Sequence, residues 1–265
     1  MLAGARRLPA RLATGFARRA QLILCAGLAA LLPGLTVADT IMAARYTDPT
    51  DRYAHGILGD AVEWGTLEVT LKDGTQRRFI LPETLVFEDV APRLSDLDAD
   101  GSPEVIVVES SLTLGARLVV YGPSGRLAMT DHIGRKNRWL APIGAADFTG
   151  DGRSEIAMVV TPHLAGKLVI LTFDGAHLTP IATTNGLTNH RIGDTDIAGG
   201  IRNCQGTPQM ILAEMPWRTG GDAKMVAVSL LKGALTRAPF KEPFTQQNIA
   251  QALTCAIETQ ADIPA

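Results

Sequence analysis

The sequence predicts an all-β chain built as a small β-propeller of about four blades, and three observations carry that expectation. Four tight-turn signals stand between β-rich runs, at Asp73-Gly74, Gly122 to Gly125, Asp174-Gly175 and Lys232-Gly233. Counted from the first turn residue, they lie 49, 52 and 58 residues apart. A second series keeps step: Ile143-Gly144-Ala145-Ala146-Asp147 precedes Ile192-Gly193-Asp194-Thr195-Asp196 by 49 residues, and Leu58-Gly59-Asp60-Ala61 is a shorter, earlier copy. Between these marks no stretch has the length and 3.6-residue apolar period of a long helix. A period near 50 with about four strands per unit is the pattern of propeller blades, which bury their faces against their neighbours. Five smaller units are the alternative, because the first begins unclearly. A sandwich made of the same hairpins is the plainer reading.

The first 38 residues carry Arg6, Arg7, Arg11, Arg18 and Arg19 and no acid, followed by an apolar run from Leu22 to Leu35 and then Thr36-Val37-Ala38. A basic start, a short apolar stretch and small residues at −3 and −1 predict a secretory signal peptide cut after Ala38. The run is too short to span a bilayer comfortably, so no membrane span is expected. Leu24 before Cys25 is too bulky for a lipid-anchored start. The predicted location is the periplasm, of a Gram-negative cell, or the outside of the cell. The whole chain has 25 basic and 27 acidic residues; without the first 38 it has 20 and 27, a charge of −7 over 227 residues. Nucleic acid is therefore not an expected partner, since phosphate binding needs a basic footprint. A hydrophobic fraction of 46% excludes disorder.

Each remaining segment has its own local reason. Asp-Gly between alternating apolar runs predicts hairpins whose two central residues take positive φ. The runs 104–108, 155–160 and 209–214 read as strands, and the repeats divide roughly as 56–92, 93–143, 144–192 and 193–259. Thr245 to Thr259 reads as a terminal helix or a closing strand. Cys204 and Cys255 form an even pair in an oxidising compartment and predict one disulfide, tying the last segment to the body.

The strongest chemical motif occurs twice. Asp96-Leu97-Asp98-Ala99-Asp100-Gly101-Ser102-Pro103-Glu104 and Asp147-Phe148-Thr149-Gly150-Asp151-Gly152-Arg153-Ser154-Glu155 place oxygens at alternate positions, with Gly at the sixth. Such a loop wraps a hard cation, and calcium, with its six to eight irregular oxygen ligands, suits it better than magnesium. Position 12 is Val107 or Met158, and a strand follows, so this is no EF-hand. D-x-D-x-D-G-x-x-E running directly into an apolar strand resembles the FG-GAP (VCBS) repeat of integrin-type β-propellers, over Asp96 to Val108 and Asp147 to Val160. The resemblance implies two structural calcium sites. One set of ligands would be Asp96, Asp98, Asp100, Glu104 and the Ser102 carbonyl. The other would be Asp147, Thr149, Asp151, Glu155 and the Arg153 carbonyl. Glu104 and Glu155 stand where the family usually has Asp, and Thr149 replaces a charge, so the second site is expected to bind more weakly. A third copy is expected at Asp196, broken by Ala198 and Gly200, with the disulfide at Cys204 as its staple.

No nucleophile pattern stands out: Ser124 sits in a hairpin turn, outside any G-x-S-x-G elbow. His55, His132, His163, His177 and His190 have no zinc spacing, and no Gly-rich loop opens a helix. Aligning the repeats sets Tyr53, His55, Asp60, Arg138, Trp139, His190, Arg191 and Asp194 at one mouth of the ring. His55, Asp60, Trp139, His190, Arg191 and Asp194 are the candidate contacts to a small anionic or sugar ligand. Trp217 beside Arg218 adds a recognition surface. The function expected is non-enzymatic: a calcium-binding module that binds or scaffolds a protein or small ligand. The rival is a propeller hydrolase or lyase with Asp60, His190 and Asp194 as acid and base. A third reading is a purely structural envelope protein.

Overall fold

The computed structural model describes residues 39–204, 206–217 and 222–260; the predicted signal peptide lies outside them. The strands are β1 (Ile41–Thr50), β2 (Glu63–Leu71), β3 (Gln76–Ile80), β4 (Leu85–Phe87), β5 (Arg93–Ser95), β6 (Glu104–Ser111), β7 (Gly115–Gly122), β8 (Gly125–Met129) and β9 (Leu140–Ala146). They continue as β10 (Glu155–Val160), β11 (Lys167–Phe173), β12 (Leu178–Thr184), β13 (Leu187–Thr188), β14 (Gly200–Asn203), β15 (Pro208–Glu214), β16 (Lys224–Leu231) and β17 (Ala234–Pro243). One helix, α1 (Gln246–Leu253), follows. Among the described residues all pairings are antiparallel, in three sheets, and none closes on itself. The first sheet runs β1-β2-β4-β6-β7-β8, with β3 on β2 and β5 on β6; its two halves meet where Trp64 pairs with Phe87. The second runs β12-β11-β10-β9, and the third β13-β15-β16-β17 with β14 on β15.

All four expected hairpins form, as β2–β3, β7–β8, β11–β12 and β16–β17. Their turn chemistry differs from the expectation at both Asp-Gly turns. Only Lys232 (φ 51°) and Gly233 (φ 79°) are both left-handed. At Asp73-Gly74 only the glycine is (φ 86°), and the Asp73 carboxylate instead accepts the Thr75 N–H at 2.8 Å. Asp174 does the same for Ala176 and His177. The acid thus acts through its side chain, as an Asx turn.

Apolar runs such as Val105–Val108 are buried on both faces, and successive side chains go to different cores. Val105, Val107, Val119 and Tyr121 meet Leu67, Val69 and Leu71 of β2. Ile106, Val108, Leu118 and Val120 meet Ile156, Met158, Val169 and Leu171 of the second sheet. That sheet's other face, with Ala157, Val159, Leu168 and Ile170, packs on Met210, Leu212, Val226 and Val228 of the third. Four hairpin units are thus stacked face to face in chain order. The ends of the stack are finished differently. α1 covers the outer face of the last unit, its Ile249 and Ala252 packing with Ile211, Ala213, Met225 and Ala227. The outer face of the first is polar, with Arg45 and Arg78 on Glu68. The segment from Thr245 is therefore a helix: Thr245 caps it, its hydroxyl accepting the Asn248 N–H at 3.3 Å.

Strand register relocates the expected third copy. Ser95 pairs with Glu104, Ala146 with Glu155, and Arg202 with Gln209. Met210 faces the preceding sheet as Val105 and Ile156 do, so Gln209 is the equivalent of Glu104 and Glu155. Asn203, one residue beyond Arg202, is that of Asp96 and Asp147, although the ladder here runs one pair further, to Asn203 and Pro208. Asp196 lies seven residues earlier, in the irregular segment between β13 and β14. Its resemblance to Asp147 is a coincidence of a Gly-Asp-rich loop. The disulfide does sit in the third turn, as Cys204–Cys255.

Candidate functional site

The two acidic turns are built alike. Each follows a strand that pairs with the strand after it, so its first acid and last glutamate are brought together by the ladder. Asp96 accepts the N–H groups of Asp100 and Gly101 at 3.2 and 2.9 Å, and Asp147 those of Gly150, Asp151 and Gly152 at 2.6, 3.1 and 2.9 Å. Left-handed residues at equivalent places make the sharp bend: Ala99 (φ 63°) and Gly101 (φ 88°) in one, Gly150 (φ 79°) and Gly152 (φ 90°) in the other. Oxygens of Asp96, Asp98 and Glu104 lie within 4.8 Å of one another, as do those of Asp147, Asp151 and Glu155. Those two trios fit an all-oxygen site for a hard cation.

Other expected ligands take different tasks. Asp100 accepts the Ser102 N–H at 2.7 Å and stands outside the first trio. The Thr149 hydroxyl donates to Glu155 at 3.0 Å. Both glutamates close their turns by accepting backbone N–H groups, Glu104 from Leu97 at 2.9 Å and Glu155 from Phe148 at 2.8 Å. Burial, with Asp98 and Asp100 adding to it, pushes the Glu104 carboxyl up to about 7. In the third turn Gln209 is neutral and accepts from Arg202 Nε at 2.7 Å.

Residues from all four units meet at a second place, a buried hub. His55 lies between β1 and β2, Glu88 between β4 and β5, Trp139 before β9, His163 after β10 and His190 after β13. His55 Nδ1 is 2.5 Å from Glu88 Oε1, and the Ser110 hydroxyl donates to Glu88 Oε2. Trp139 Nε1 donates to the Glu88 carbonyl at 2.9 Å. The Trp139 ring stacks over His163, 6.3 Å between centroids, and meets the edge of His190 at 4.9 Å. His163 Nε2 lies 3.0 Å from His190 Nδ1, and His190 Nε2 lies 2.9 Å from the Asp194 carbonyl.

Burial raises the acids of the hub and lowers two of its imidazoles, His163 and His190. Desolvation raises Glu88, against the opposing pull of His55 and Ser110. It pushes Glu63, at the start of β2, up to about 9, with Glu88 and Asp60 adding to it. Asp89 is raised by burial while its ion pair with Arg93, at 2.5 Å, pulls the other way. Burial, then the charges of His190 and His55, lower His163 to about 4, and burial lowers His190.

The expected ligand contacts separate into two cavities. Trp139 and His55 line one of about 240 Å³, together with Arg138, His163, Leu164 and Ile192. Arg191 and Asp194 line another of about 820 Å³ with Trp217, Asp222, Phe244 and Ile249. There the Arg191 guanidinium lies 4.6 Å over the Trp217 ring and pairs with Asp194 at 2.9 Å. His190 is enclosed between the two, and Asp60 is exposed and lines neither, its carboxylate accepting the Val62 N–H. Sequence reasoning passed over Glu63, Glu88 and Asp89 and gave His163 no role. The signal for the pair was Glu88-Asp89 interrupting an apolar run between Phe87 and Val90. Among the described residues no helix is long and apolar enough to cross a membrane.

No protein-family model matches this chain, and no curated protein does. Among solved structures it is similar to rhamnogalacturonan lyase YesW, with a TM-score of 0.38 and 15% identity over 67% of this chain and 42% of that one. It is equally similar to the exotype rhamnogalacturonan lyase YesX, at 0.38 and 14% over 66% and 41%. The match thus spans about two-fifths of either lyase. At that TM-score the likeness is too loose to carry over a fold or an activity.

Proposed function

We propose that the chain is a calcium-stabilised binding module of the periplasm or the cell exterior, its four units arranged as propeller blades whose loops form a recognition face around the hub. The observation that carries this reading is the meeting of side chains from all four units within one hydrogen-bonded and ring-stacked cluster, as blades around an axis require. A direct contact between first and last units supports it: the Gly193 N–H donates to the Ile57 carbonyl at 3.1 Å. The ring is open between those units, since no shared core joins their outer faces among the described residues. The two acidic turns favour structural calcium, because protein oxygens converge on one point in each. The resemblance to FG-GAP turns points the same way. An oxidising location is supported by the disulfide.

The rival assignment of Asp60, His190 and Asp194 as acid and base loses ground on geometry. His190 is 1% exposed with both ring nitrogens engaged, and Asp194 is occupied by Arg191. The test is the melting temperature of residues 39–265 with calcium and with chelator. A ligand that binds only the native state must raise it. A rise that Asp96→Ala reduces supports the reading; no shift at millimolar calcium removes the metal from it.

A further inference from the structure

The smaller cavity has features that packing alone does not call for. Two of its lining residues, Asn137 (φ 56°) and Thr161 (φ 49°), hold left-handed backbone, and a β-branched residue there is strained. Two imidazoles, His55 and His163, line the same space, each with one ring nitrogen that has no partner among the described residues.

Hydrogen-bond logic fixes what those nitrogens present. His190 Nε2 faces a carbonyl oxygen, so it carries the proton and donates. His190 is held neutral by burial, which leaves its Nδ1 an acceptor. His163 Nε2–H must then donate to it, and His163, neutral as well, offers a bare Nδ1 acceptor. His55 faces the opposite situation. Its Nδ1 is taken by the buried Glu88, 2.5 Å away, which leaves Nε2 for the cavity that the ring lines. Where Glu88, raised by burial, keeps its proton, it donates to Nδ1, and the ring hydrogen then sits on Nε2 as a donor. Arg138 at the rim makes no ion pair among the described residues, bonding only the Asn137 carbonyl at 3.2 Å. Ile57, Pro162, Leu164 and Ile192 supply an apolar wall, the last two 57% and 67% exposed.

We propose that this cavity binds a small hydroxycarboxylate, its carboxylate held by Arg138 and the His55 Nε2–H and its hydroxyl donating to His163 Nδ1. The space of 240 Å³ is about eight times the ~30 Å³ that one liquid water occupies, enough for a three-carbon acid or one acidic sugar ring. A neutral polyol lacks the charge for Arg138, and a plain carboxylate leaves the His163 acceptor unmet. A ligand that covers His163 Nδ1 without donating to it strips that acceptor of water, which makes the hydroxyl part of the recognition. This inference rests on the reading of the hub face as a binding face.

The test is a calorimetric titration of the calcium-loaded protein with glycerate, glucuronate, propionate, glycerol and glucose. Binding of glycerate or glucuronate at least tenfold tighter than propionate, with no heat from glycerol or glucose, is the expected result. Which of the two acids binds separates a free acid from an acidic sugar. Arg138→Gln, a partly exposed change that spares the core, should weaken binding tenfold or more, and His163→Phe should remove the preference over propionate. Asp222→Asn, in the larger cavity, should leave binding unchanged. Silence from both acids, or equal affinity in Arg138→Gln, overturns the proposal. If calcium still raises the melting temperature in that case, only the ligand class falls and the binding module stands; if calcium has no effect either, both fall.

Discussion

Carboxylates gather in two regions of this molecule, and the two regions neutralise them by different means. At the rim, the acidic turns hold Asp96, Asp98 and Glu104 together, and likewise Asp147, Asp151 and Glu155, with most of their counter-charge left to backbone N–H groups. At the hub, Glu63, Glu88 and Asp89 are buried and are matched by retained protons, by His55 and by Arg93. Water reaches the aspartates at the rim, which are partly or fully exposed, whereas Glu104 and Glu155 are buried beneath them and Glu104 is pushed up to about 7. At the hub, desolvation makes an unpaired carboxylate so costly that it holds its proton or an ion-pair partner. Depth thus decides which counter-charge each acid takes.

The sharpest way to break this contrast is calcium itself. At a free concentration one hundred times Kd each filled turn adds about 2.7 kcal/mol, so two filled turns should add about 5 kcal/mol in urea unfolding. The hub should not respond. Arg93→Met tests the hub next. It strips Asp89 of its partner and should cost about 3–5 kcal/mol, read as a lower urea midpoint with and without calcium alike.

Glu63→Gln should act in the opposite direction. The folded protein holds the Glu63 proton up to about pH 9, whereas the unfolded chain releases it near the ordinary value of 4.5. Stability therefore falls as pH rises between those two values, and the amide removes that penalty. At pH 7 the gain should be on the order of 2–3 kcal/mol, fading toward pH 4, and a pH series of unfolding curves measures it. A flat difference between variant and parent across that range would sink the assignment. The smallest effect is expected at the weaker turn. Thr149→Asp restores a charge and should tighten the second calcium site about tenfold, by calorimetric titration, since affinity follows ligand charge count.

Much of the architecture was legible because hairpins are local. Asp, Gly and Lys-Gly pairs mark turns by their own chemistry, and the runs around Val105 and Ile156 are apolar on both faces because both faces are buried. The acidic turns were legible for the same reason. What escaped the sequence is non-local. The innermost pairing in the second unit is divided between β4 and β5, and in the fourth between β13 and β14, so its insertions hid the true register. Asp196 then imitated Asp147, while the real equivalent, Asn203, has no charge to announce it. The hub acids escaped because Glu88-Asp89 reads as a polar loop until the fold brings His55, from 33 residues earlier, against it.

The Cys204–Cys255 bond spans 51 residues and encloses β15, β16, β17 and α1 in one covalent loop. Tension applied to the chain beyond residue 255 passes through sulfur to the turn after β14, and so loads the β14–β15 pairing without first drawing on β16, β17 or α1. A protease or translocating motor pulling from that side would have to move the whole loop at once, because the strands inside it cannot be unzipped one by one.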